Sequence, residues 1–185
     1  MNKRILVIAI ALVLMLTLMI PVQLQAKSGN VPQPPSRPQQ FTADGFVYII
    51  DPGDITKSIQ FGTLVYQHQV GEEVNGVITN STWSDLNGAS IDIIHSADTI
   101  TNLKMGTFVA TASGTITLVL VDKSVLSGSY QAIIYGKFDA NGNYTIVNDM
   151  AQWDLGSKAQ GNATATLYPY SGTLGGDISM SGTHK

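Results

Sequence analysis

From Phe41 to the end of the chain, apolar residues return at every second position and almost never at helical spacing, which restricts the fold to β-strands. Over residues 114–121, Ile116, Leu118 and Leu120 fall on one face and Thr115, Thr117, Val119 and Val121 on the other. Both sets are β-formers, so this strand is expected to be covered at least partly on each side. Residues 130–139 alternate in the same way, with Tyr130, Ala132, Ile134 and Phe138 opposite Gln131, Ile133, Tyr135 and Lys137. They run into Asn141-Gly142, which accepts the positive φ angles of a tight hairpin, and the strand pattern resumes over 144–147.

Further strands are predicted at 46–50, 63–70, 76–82, 90–96, 105–112, 163–168 and 177–181, with breaks at Asp51-Pro52-Gly53-Asp54 and Gly71-Glu72-Glu73. No helix of crossover length lies between them, so neighbours must run antiparallel. Only 148–155 also fits a helix, capped by Asn148 with Met150 and Trp153 three apart, against a strand continuing from the hairpin. Gly-Thr pairs at Gly62, Gly106, Gly114, Gly172 and Gly182 lie beside proposed strands, where glycine allows the bends that curl a sheet. The expected fold is therefore all-β, a single antiparallel barrel of about 8–10 strands, with a two-sheet sandwich as the alternative. In outline this resembles the calycin-type and allene-oxide-cyclase-type barrels, which also consist of serial antiparallel strands with glycine bends. The resemblance is one of architecture and implies no functional residue.

Ahead of the strands, Lys3 and Arg4 precede an uncharged run from 5 to 20, then Pro21 and a polar exit to Ala26. The run is shorter than the roughly 18–20 residues that span a bilayer, so residues 1–26 are predicted to be a secretory signal cleaved after Ala26. If it is kept, residues 5–20 become an anchor and the only membrane contact, and the rest of the chain still faces outward. Residues 27–40 hold four prolines and almost nothing apolar, which predicts an extended spacer before a barrel domain at 41–185. The product is expected to be secreted or displayed at the cell surface. There is no cysteine, so stability must come from the core. Without Lys3 and Arg4 the chain has eight basic and thirteen acidic residues, a balance of −5 with no run of like charge, which disfavours nucleic acid.

The three histidines, His68, His95 and His184, lack metal-ligand spacing, and no metal or other cofactor is expected. His68 and His95 sit on apolar-alternating strands, so both are expected to point inward, as packing residues or as weak catalytic candidates. No Gly-x-Ser-x-Gly elbow occurs, and the aspartates are dispersed along the chain. The aromatic candidates for ligand binding are Tyr168 and Tyr170, which an extended Tyr-Pro-Tyr shows on one side of the chain, together with Trp83 and Trp153, which could equally plug the barrel ends. Asn-x-Ser/Thr sequons at Asn80, Asn143 and Asn162 are candidate glycosylation sites.

Two functions from different classes follow. One is a non-catalytic exported binding or cell-envelope module for a small apolar ligand, a glycan or a surface protein. The other is a barrel enzyme of isomerase or cyclase type, with a pocket histidine and tyrosine. A hollow barrel containing an ionisable group favours the enzyme, and a filled barrel with rings outside favours the module.

Overall fold

In a computed structural model that describes residues 37–139 and 143–185, the period-two sequence becomes nine strands. They are β1 (Gln39–Asp51), β2 (Asp54–Phe61), β3 (Leu64–Ser81), β4 (Ser90–Asn102), β5 (Thr107–Val119), β6 (Val125–Phe138), β7 (Tyr144–Asp154), β8 (Ala159–Tyr170) and β9 (Thr173–His184). Each pairs antiparallel with its sequence neighbour from β2 onward, and β1 pairs with both β9 and β3. That double pairing closes eight strands into a barrel and rules out the sandwich. β2 is left outside the closure, held only by the first half of β3.

Strand identity follows the sequence pattern, with three differences. The segments expected at 63–70 and 76–82 form one strand, β3, because Gly71 takes a positive φ of 74° and absorbs the break as a bulge between Gln69 and Glu72. Those expected at 105–112 and 114–121 form one strand, β5, in which Gly114 is interior. β2 has no counterpart among the predicted strands: Ile55, Ile59 and Phe61 fall on alternate positions, but Lys57 interrupts the apolar series, and all eight residues of the strand are exposed. Residues 148–154 continue β7 as a strand. Of the Gly-Thr glycines, Gly62, Gly106 and Gly172 have positive φ in turns and so end strands, whereas Gly114 and Gly182 lie where the next strand comes too close for a Cβ. The signal and most of the spacer, residues 1–36, and the hairpin residues Asn141 and Gly142 lie outside the described residues. Asp139 and Asn143 nevertheless close that hairpin, the Asp139 N–H donating to the Asn143 carbonyl at 2.8 Å.

An eight-stranded barrel is just wide enough for its own side chains to fill. Large residues (Ile78, Ile91, Ile116, Leu118) alternate with small ones such as Ala112, Ala132 and Ala163, all of them buried. One end is stopped by the β3–β4 connection, where the short 3-10 turn Ser84–Leu86 drives Leu86 into the core.

Candidate functional site

Four polar side chains meet inside this apolar barrel. The bulge at Gly71 turns Glu72 inward from β3, where it faces His95 of β4, and the His95 Nε2 to Glu72 Oε1 distance is 3.3 Å. The second Glu72 oxygen accepts from Gln69 Nε2 at 2.9 Å. From β6, the Tyr130 hydroxyl donates to Asp149 Oδ2 at 3.3 Å, and its ring packs at 5.8 Å from the His95 ring. Asp149 faces inward only because Val147 is an extra residue in β7, a bulge between Ile146 and Asp149 that brings it to the same side as Ile146, Ala151 and Trp153. Burial raises the Asp149 carboxyl to about 6, against the opposing effects of the Tyr130 hydrogen bond and His95. Burial, followed by the Asp149 charge, holds the Tyr130 hydroxyl well above its ordinary value.

His95 Nδ1, Asp149 Oδ1 and Trp153 Nε1 are buried without a hydrogen-bond partner among the described residues. They surround a chamber of about 30 Å³, also lined by Glu72 and Tyr130. That is space for one or two waters, against the roughly 300–1,000 Å³ of a small-molecule site. Chemically, the group can store or pass a proton, but it has no room for a substrate.

His68 is not a member of this group, which corrects the expectation that it points inward. The extra residue at Gly71 reverses the faces of the first half of β3, so His68 lies outside with Asp98 of β4. There its Nδ1 is 2.9 Å from Asp98 Oδ1, which also accepts from the Tyr66 hydroxyl at 2.6 Å. The Tyr66 bond, and then His68, hold the Asp98 carboxyl below its ordinary range. His184 stacks face to face on Trp83 at 4.3 Å, in an aromatic cluster that also includes Phe41 and Trp153. Both tryptophans are buried in the core, so neither of these two ligand-binding candidates presents an exposed ring to a ligand. Among the described residues, no group of three or more His, Cys, Asp or Glu side chains is placed to hold a metal.

Tyr168 and Tyr170 have the opposite placement. Both stand outside on β8, and they belong to a larger ring surface that their spacing did not disclose. In the register of β1, β9 and β8, Tyr48 and Tyr168 flank Gly175 directly, while the rings of Phe46 and Tyr170 meet above it at 5.0 Å. A Cβ at Gly175 would stand 3.1 Å from Tyr170 and 3.2 Å from Phe46, so a side chain there would push these rings aside by a few tenths of an ångström. Tyr48, Tyr168 and Tyr170 keep 38%, 41% and 47% of their surface exposed. The surface continues over Tyr48 and Tyr170 into an open groove of about 1030 Å³ at the barrel mouth, bounded by Pro52, Asn143, Tyr144 and Thr173.

Asn80, Asn143 and Asn162 are all exposed. The Asn143 side-chain amide donates to Asp139 Oδ2 at 3.0 Å. Comparison with protein-family models, with curated proteins and with solved structures finds no match for this chain.

Proposed function

We propose that the protein is an exported, non-catalytic binding module that holds a glycan on the outside of its barrel, against Tyr48, Tyr168 and Tyr170. The observation that carries this reading is the contrast between an interior with about 30 Å³ to spare and an exterior with an exposed ring surface over Gly175. Tyrosine rings offer an apolar face to the C–H side of a sugar and a hydroxyl to its rim. The low, dispersed charge suits a neutral ligand. Export rests on the basic start, the short apolar run and the polar exit of residues 1–26.

The test is titration with cellohexaose and chitohexaose. Binding to either is expected, and Tyr168→Ala should weaken it about tenfold or more with an unchanged melting temperature, because that ring is exposed and not part of the core. No binding to a panel of neutral oligosaccharides, or binding untouched by Tyr168→Ala, would overturn the reading.

A barrel enzyme of isomerase or cyclase type is the second reading. It is favoured by the meeting of Glu72, His95, Tyr130 and Asp149, which are groups that general acid–base chemistry uses. The size of the chamber they line counts against it.

A further inference from the structure

His95 Nδ1, Asp149 Oδ1 and Trp153 Nε1 are buried polar atoms that no other protein group satisfies among the described residues. Unsatisfied, each would carry the full cost of losing its hydration. The strand register explains why they share one chamber. His95, Gly114, Tyr130 and Trp153 are successive partners across β4, β5, β6 and β7, so the histidine, tyrosine and tryptophan side chains form one inward row. Asp149 stands on the same face of β7 as Trp153 with the small Ala151 between them, and Ala163 of β8 pairs with Ala151. These alanines line the chamber and keep its space open.

The three atoms together specify what the chamber takes. The Trp153 indole N–H can only donate. His95 Nε2 faces Glu72 Oε1 at 3.3 Å, and a ring proton placed there leaves Nδ1 to accept. Asp149 Oδ2 receives the Tyr130 hydroxyl, so Oδ1 accepts as a carboxylate and donates when it holds a proton. In either state the occupant must accept one hydrogen bond from Trp153 and donate one to His95. Ammonium cannot accept and a halide cannot donate, while about 30 Å³ excludes anything much larger than water. We propose that the chamber is a binding site for ordered water, which accepts from Trp153 Nε1 and joins His95 Nδ1 to Asp149 Oδ1. The inference is independent of the glycan reading.

Bound there, the water makes one chain of two pairs, Glu72 with His95 and Asp149 with Tyr130. A proton on Asp149 Oδ1 passes to the water as the water gives one to His95 Nδ1, and His95 Nε2 releases one to Glu72. The count balances. Asp149 becomes a carboxylate, Glu72 a carboxylic acid, and the ring stays neutral with its proton moved to Nδ1. The Glu72 side chain is 16% exposed, so this chain ends at solvent.

The test is NMR of the full chain at about pH 8, where Asp149 holds no proton to exchange. The Trp153 indole proton should show a direct cross-peak to water with the sign of a long-lived bound molecule. The long-range proton–nitrogen spectrum should place the His95 ring proton on Nε2. Tyr130→Phe keeps the ring and removes the hydroxyl at the chamber wall, whose own exchange could relay the signal, so the cross-peak should persist in that variant. An indole proton with no cross-peak to water, a cross-peak lost in Tyr130→Phe, or a proton on His95 Nδ1 would each overturn the proposal.

Discussion

Asp149 shows how a single carboxyl couples this barrel to pH. Its folded value of about 6 lies above the ordinary 3.8, so between these values the folded chain keeps a proton that the unfolded chain has lost. The stabilisation from this group is complete below about pH 4 and is lost as pH rises through 6, by at most about 3 kcal/mol. Asp149→Asn has nearly the same shape and no proton to lose. Thermal melts at pH 4 and pH 7 should show the variant gaining on the parent as pH rises, and a gap independent of pH would show that Asp149 is not held protonated. His95→Ala makes a different prediction. Removing a buried ring and leaving Glu72 with a missing partner should cost about 1–3 kcal/mol, read by denaturant unfolding, with no loss of oligosaccharide affinity. Loss of binding at unchanged stability would instead place the function inside the barrel.

At the scale of elements, what could not be read from the sequence comes down to bulges. Alternation located β4, β6, β8 and the β6–β7 hairpin because a strand with one covered face leaves a period of two in the chain. A bulge shifts that period by one residue without altering composition. Val147 and Gly71 each reverse a face, and so Asp149 and Glu72 entered the interior unannounced while His68 left it. The ring surface was half legible for a related reason. Tyr168 and Tyr170 are neighbours in sequence, but Phe46 and Tyr48 join them only through the β1–β9–β8 register. The bulge is itself testable. Gly71→Val places a β-branched residue at a φ of 74° and should destabilise the domain by about 1 kcal/mol or more, measured by melting. An unchanged melting temperature would argue against the bulge, and with it against the outward placement of His68.

Across the whole molecule, two consequences follow from closure. Pairing of β1 with both β9 and β3 gives a barrel whose interior is consumed by its own side chains, so any partner larger than water must be met on the outside. The two sites are also distinct, with the ring surface over Gly175 outside β1, β9 and β8, and the water chamber enclosed by the strands. The central claim, that binding is external, can be decided by amide and indole NMR during titration with cellohexaose or chitohexaose. The Gly175, Tyr168 and Tyr170 amides are predicted to shift, while the buried Trp153 indole stays fixed. A moving Trp153 indole with a still Gly175 would contradict the account and return the site to the chamber beside His95 and Asp149.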